Sequence, residues 1–198
     1  MDARQQCAGM DEAALVASAK NGDRDAFSEL VVRHASAVLT VAWRILGDRG
    51  LAEDVAQETF LAAFRSLGSF RVEARFSTWL YRIAVNKCRD LLRTRSGERG
   101  VDLRGSETDG DTVEPVGTSP LHRSPEAQLL DKQRARHVAE ALKRLPPLYR
   151  EAFVLRHIEG LSYDEMRDVL GVDGGTLRMR VYKARQELSR ELAWLVTK

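Results

Sequence analysis

Residues 96–125, SGERGVDLRGSETDGDTVEPVGTSPLHRSP, set the tightest limit on what this chain can fold into. Five Gly, three Pro, four Ser and three Thr make half of the segment turn- or coil-forming, and six acids face three Arg. A stretch without a hydrophobic period cannot bury enough apolar surface to offset the entropy of ordering it. The segment therefore reads as a flexible acidic linker between one domain at 11–95 and another at 126–198, with residues 1–10 as a disordered tail. Each half is small, so each core is expected to be modest.

Both halves read as helical, which predicts an all-α chain of two small domains. Asp11 stands where it can cap a short helix carrying Leu15, Val16 and Ala19. A long helix from Asp25 sets Phe27, Leu30, Val31, Val38, Val41, Ala42, Ile45 and Leu46 at three-and-four spacing and ends at Gly47. A third runs from about Leu51 to Leu67. Ser77 or Thr78 can cap a fourth, from Trp79 to about Arg95. In the second half, Pro125 opens a helix that carries Leu129, Leu130, Val138, Ala141, Leu142 and Leu145. Shorter helices are expected near 148–158, 162–170 and 174–194.

Two helix faces resist explanation by packing alone. On the fourth helix, Leu80, Ile83, Ala84, Cys88 and Leu91 form the core side, and Trp79, Arg82, Asn86, Arg89 and Arg93 gather opposite. A basic stripe by itself is a solvated face. An indole at its head, with Phe70, Arg71, Arg75 and Phe76 just upstream, gives the mixture expected for single-stranded DNA, although some of these aromatics belong to the core. In the second half, Ser162 to Glu165 fit a capping box, a turn containing Gly171 follows, and Asp173 can cap the next helix. Two helices joined in this way make a helix-turn-helix. On the second, Leu177, Val181, Ala184, Leu188 and Leu192 share the buried side. Arg178, Met179, Tyr182, Lys183 and Gln186 share the exposed side, flanked by Arg180 and Arg185. Long side chains along a crest with flanking cations suit base edges and phosphates in a major groove.

Composition excludes other classes. Charges nearly cancel, at 31 Lys plus Arg against 29 Asp plus Glu. Cys7 and Cys88 are too few for a disulfide framework and fit a reducing compartment. No apolar run reaches the roughly 18 residues of a membrane span. The start of the chain lacks a signal-peptide layout, so a soluble cytoplasmic protein is expected. His34, His122, His137 and His157 are scattered without metal-ligand spacing, and no nucleophile–base constellation or phosphate-cradling loop is visible. No cofactor, metal or catalytic residue is expected.

The chain resembles the extracytoplasmic-function (ECF) group of bacterial RNA polymerase sigma factors. The residues that carry the likeness are Ala52 to Phe60 (AEDVAQETF) and Phe76 to Asn86 (FSTWLYRIAVN) in the first half. In the second they are Leu145-Pro146, Tyr149 to Phe153, Leu161 to Glu165, and Gly175-Thr176 through Ala184-Arg185. The resemblance spans about residues 11–190 in the family's order. It implies that Glu53, Asp54, Gln57, Glu58, Phe60 and Leu61 lie on the helix that docks on the coiled coil of the polymerase beta-prime clamp, with the beta flap as a further contact. It implies that the minus-ten element is opened by Phe70, Arg71, Arg75, Phe76, Ser77, Thr78 and Trp79 with Arg82, Asn86, Arg89 and Arg93. There an unpaired non-template base would be held against cations on the backbone. The minus-thirty-five duplex would be read by Thr176, Arg178, Met179, Arg180, Tyr182, Lys183 and Arg185, with Arg156, Ser162 and Tyr163 near phosphates. The linker would thread toward the polymerase active centre, and an anti-sigma factor would hold the chain inactive.

The sequence departs from the family at three points. Arg167 stands where a small residue is usual and must snorkel outward or alter the helix crossing. Asp173-Gly174-Gly175 loosens the entry to the recognition helix, and Met179 stands where Ser is common. Other readings are a stand-alone helix-turn-helix regulator, an enzyme, or a helical adaptor. The first leaves the Trp79 stripe and the Glu53–Phe60 face without work, and an adaptor needs no cations on a recognition crest.

Overall fold

The structure is a computed structural model that describes residues 9–70, 74–99 and 125–196, with side chains described except at 96–99, 125–132 and 194–196. Cys7, Arg71, His122 and the linker positions 100–124 lie outside the described residues, as do the side chains of Leu129 and Leu130. Every regular element among the described residues is helical. The first half comprises α1 (Glu12–Lys20), α2 (Arg24–Leu46), α3 (Arg49–Ser66), a 3-10 turn (Leu67–Ser69) and α4 (Phe76–Arg99). The second comprises α5 (Pro125–Arg144), α6 (Pro147–Phe153) running into a π-helical turn (Val154–Ile158), α7 (Tyr163–Leu170) and α8 (Gly174–Val196). Among the described residues no helix is long and apolar enough to cross a membrane.

Local chemistry sets most helix ends. Asp23 caps α2 by accepting from the N–H groups of Asp25 and Ala26 at 2.9 and 3.1 Å. Asp48 caps α3 through Leu51 N–H at 3.0 Å. Asp11 stands at the N-cap of α1, but its side chain makes no capping bond. The start expected at Trp79 lies three residues earlier, at Phe76, and the Trp79 N–H bonds the Arg75 carbonyl at 3.2 Å. Burying Phe76 and Thr78 inside the domain draws the first turn back from the expected caps. At its far end α4 continues through Arg99, past the boundary at 96.

The first half packs Leu15, Phe27, Leu30, Val38, Ala63, Leu67, Phe76, Leu80 and Ala84 into one cluster. Ala141, Leu142, Leu145, Ala184 and Leu188 form a small cluster in the second half. The third cluster was not foreseen, because it is shared. Val41, Ala42, Ile45, Val55, Tyr81, Val85 and Cys88 of the first half pack with Leu155, Leu161, Met166, Val169, Leu177 and Val181 of the second. Each fully buried aliphatic side chain is worth about 1.5–3 kcal/mol, so joining the halves strengthens two cores that are small alone. Arg150 reinforces the junction: Nη1 donates to the Ile45 carbonyl at 2.6 Å, and Nη2 donates to the carbonyls of Leu145 (2.9 Å) and Lys143. Gly47, at φ +73°, ends α2, and a Cβ there would lie 2.8 Å from the Lys143 side chain of the other half. Glycine is required at that position twice over.

Candidate nucleic-acid interface

The helix-turn-helix is assembled by paired caps. Ser162 Oγ accepts from Glu165 N–H at 3.2 Å, while Glu165 Oε2 accepts from Ser162 N–H and from the Ser162 hydroxyl, both at 2.8 Å. Those bonds, led by the Ser162 backbone N–H, hold the Glu165 carboxyl below its ordinary pKa. Gly171 at φ +68° terminates α7. Asp173 then accepts from the Thr176 N–H at 3.0 Å and the Thr176 hydroxyl at 2.6 Å, which lowers its pKa. This cap firms the entry to α8 despite the two glycines after it. Arg167 points outward, 57% exposed, and pairs with Asp164 at 3.3 Å, so it leaves the helix crossing alone.

On α8, Leu177, Val181, Ala184 and Leu188 are buried. Arg178, Met179, Tyr182, Lys183, Arg185 and Gln186 are exposed on the other side, with Met179 at 56% and Tyr182 at 60%. Thr176 and Arg180 are half-buried. Exposed apolar bulk beside cations on a rigid helix is what a base-reading crest needs. Arg156 and Arg178 lie over the Tyr163 ring at 5.0 and 5.2 Å, and Arg156 donates to the Leu161 carbonyl at 2.7 Å. Tyr163 is thus a half-buried platform that orients the two guanidinium groups.

The α4 surface differs from its expectation. Phe70, Phe76 and Thr78 are buried at 5%, 2% and 5% exposure, so their side chains belong to the core. Trp79 is half-buried, its ring 5.0 Å from Phe70 and 5.6 Å from Phe76. Aromatic rings bury large apolar areas and gain from tilted contact, which draws this trio inward. Arg82, Asn86 and Arg93 stay exposed, Ser77 is half-buried, and Arg93 pairs with Asp90 at 2.6 Å. Arg75 reaches Glu165 at 3.2 Å. Arg89 is taken up by Glu151 of the second half, with Nη2 donating to Oε2 at 2.7 Å and Nε to both oxygens at 3.1 Å. It is not a free member of the stripe.

On α3, Glu53, Asp54, Gln57 and Glu58 are exposed, Phe60 is half-buried and Leu61 is 56% exposed. Glu58 pairs with Lys87 at 2.7 Å. The polar rim flanks an apolar groove of about 640 Å³ lined by Phe27, Val31, Leu39, Ala56, Phe60 and Phe64. Val32 and Phe64, 73% and 47% exposed, were missed by the sequence reading. So were Tyr81, Arg150, Glu151 and Glu159. The Tyr81 hydroxyl donates to Glu159 across the halves, and burial raises the pKa of both groups. A signal existed, because Tyr81, Val85, Cys88 and Leu92 make a second apolar stripe at helical spacing beside the core face of α4. Cys88 is buried, with its thiol pushed up to about 12 by that burial, so it is inert.

The sigma-70 region 2 family matches residues 30–98, and the sigma-70 region 4 family matches residues 136–188. The chain is 36% identical to the RNA polymerase sigma-H factor of Pseudomonas aeruginosa, over 90% of this chain and 92% of that one. It is 33% identical to the ECF RNA polymerase sigma factor SigW of Bacillus subtilis, over 87% and 92%. The solved structure of CnrH in complex with the cytosolic domain of CnrY superposes with a TM-score of 0.66 at 31% identity, covering 92% of this chain and 97% of CnrH. Fold and sequence together define a sigma-70-type factor, a non-catalytic specificity subunit for transcription initiation. Within that class the chain belongs to the ECF RNA polymerase sigma factor family.

Proposed function

We propose that this sigma factor directs RNA polymerase to promoters by reading a minus-thirty-five duplex with the crest of α8 and capturing the opened minus-ten non-template strand along α4. The carrying observation is the α8 crest, where Arg178, Met179, Tyr182 and Lys183 project outward while Leu177, Val181 and Ala184 anchor the helix beneath. Flanking Arg185 and the half-buried Arg180 supply phosphate-neutralising charge. Along α4, Arg82, Asn86 and Arg93 serve the strand backbone. Phe70, Phe76 and Thr78 act from below by fixing the Trp79 ring and the turn around it, and Ser77 stands in the same first turn of α4. The α3 face, with Glu53, Asp54, Gln57, Glu58, Phe60 and Leu61 around its apolar groove, is the docking surface for core polymerase. A cytoplasmic anti-sigma factor is a further partner; CnrH, which this chain resembles, was solved bound to a second protein.

The test is run-off transcription with purified core polymerase. Lys183→Glu is expected to lower minus-thirty-five-dependent transcription about a hundredfold, because a lost base contact is joined by phosphate repulsion. Core binding should be unchanged. Equal loss of core binding would make α8 a structural helix, and tight duplex binding by the chain without core would favour a stand-alone regulator.

A further inference from the structure

We propose that Met179 reads a thymine in the upstream promoter duplex through the C5-methyl group of the base. The inference rests on the promoter-reading assignment above and names the base which that site takes. At about 100° per residue, Leu177, Val181, Ala184 and Leu188 gather on one side of α8, and Met179 stands almost diametrically opposite them. Those four are buried, whereas Met179 is 56% exposed. Met179 is therefore the apex of the crest, in the second turn of a helix that begins at Gly174. The early residues of a recognition helix are the ones that reach base edges. The neighbouring cations leave the apex uncovered. The Arg178 guanidinium lies over the Tyr163 ring at 5.2 Å, drawn to one side. Half-buried Arg180 and exposed Arg185 stand on opposite flanks, where the phosphates of the two strands bordering a major groove would pass. An apolar tip between cations suits a polyanion with an apolar group at the floor of its groove.

Chemistry selects the base. A thioether has no hydrogen-bond donor and is only a weak acceptor. Set against the amino group of cytosine, the N6 and N7 atoms of adenine or the O6 and N7 atoms of guanine, it strips water from polar atoms and returns no bond. Thymine alone presents a methyl group in the major groove, and a flexible, polarizable side chain packs well against it. The same face continues into Tyr182, 60% exposed, and into the exposed Lys183, whose ammonium suits guanine O6 and N7. Met179 and Lys183 are about 6 Å apart along the helix axis. The thymine therefore lies within roughly two base-pair steps of the base that Lys183 contacts.

The experiment uses the full chain with core polymerase. Selection from promoters randomised across the upstream element should enrich a thymine, on either strand, at one position. Replacing that thymine by deoxyuridine removes the methyl group and keeps the base pair. Binding of the wild-type holoenzyme at fixed salt should then weaken about fourfold, the effect of one buried methyl group. Met179→Leu should keep this penalty, because its side chain is apolar and of similar size. Met179→Ala, too short to reach the methyl, should bind the thymine and deoxyuridine promoters equally. Met179 is exposed, so both variants should retain the far-UV helical signal. No enriched thymine, no deoxyuridine penalty in the wild type, or an undiminished penalty in Met179→Ala would each overturn the assignment. The last result would pass the methyl contact to another side chain or to duplex shape. An upstream motif without the penalty removes Met179 alone and leaves the promoter-reading assignment standing. Selection that yields no upstream motif removes both.

Discussion

The two helices assigned to DNA, α8 and α4, start from similar sequence, a basic stripe with one or two aromatic or apolar side chains along it. Their surroundings separate them. The crest of α8 is exposed from Arg178 to Gln186 on one side and its N-terminus is capped by Asp173, so its outward face is held ready for a partner. The crest of α4 is half occupied: Arg89 and Arg75 pair with acids of the second half, and Trp79 leans on Phe70 and Phe76. On the proposed assignment, α8 can meet a duplex without rearranging, whereas two cations of the α4 stripe are already paired with carboxylates of the second half. The same residue types therefore end in different surroundings, set by what packs beside each helix.

Breaking the α8 side most severely is Leu177→Ala, which removes a fully buried side chain beneath the crest. A loss of about 2–5 kcal/mol is expected in chemical denaturation. Because Leu177 belongs to the shared cluster, α4 should lose protection in amide hydrogen exchange along with α8. Protection lost from α8 alone would contradict the shared core. On the α4 side, Trp79→Ala should slow duplex opening about tenfold, in line with one lost stacking contact, and a pre-melted bubble template should restore most of the rate. That comparison is made at a temperature where circular dichroism shows the variant folded, since the ring also covers Phe70 and Phe76. No rescue by the bubble would remove α4 from strand opening. Arg82→Ala should weaken promoter binding only a few-fold and reduce the salt slope by about one, measured by titration at several ionic strengths. The smallest effect is expected from Asp173→Ala, as faster amide exchange in the first turn of α8. Its carboxyl is held below the ordinary 3.8 by Thr176, so the cap's contribution is present above that value and lost as pH falls through the lowered pKa. The wild-type and Asp173→Ala exchange rates should converge in that acid window.

Most of the fold was legible because helices announce themselves through spacing and caps. Gly47, the Ser162–Glu165 box and Asp173 all act where their chemistry suggested. The α8 crest was legible for the same reason, since one buried stripe fixes the opposite face. What escaped was the relation between the halves. Arg89 reads as one more cation on a stripe, and Arg150 and Glu151 stand within the Tyr149–Phe153 motif, which gives neither side chain a role in packing. Their burial comes from an encounter between segments 62 residues apart in the case of Arg89 and Glu151, which no local pattern encodes. Phe70 and Phe76 went inward for a related reason. An aromatic near a basic stripe carries no mark of whether a base or its own core will cover it.

The most direct measurement is run-off transcription by purified core polymerase, with and without this chain, across a library of promoter sequences. Start sites that depend on the chain should share two separated motifs, the upstream one still required when the downstream region is supplied already melted. Transcription whose start sites are indifferent to the chain, or chain-dependent starts that need no upstream motif, would contradict the assignment of α8 and α4 to two promoter elements.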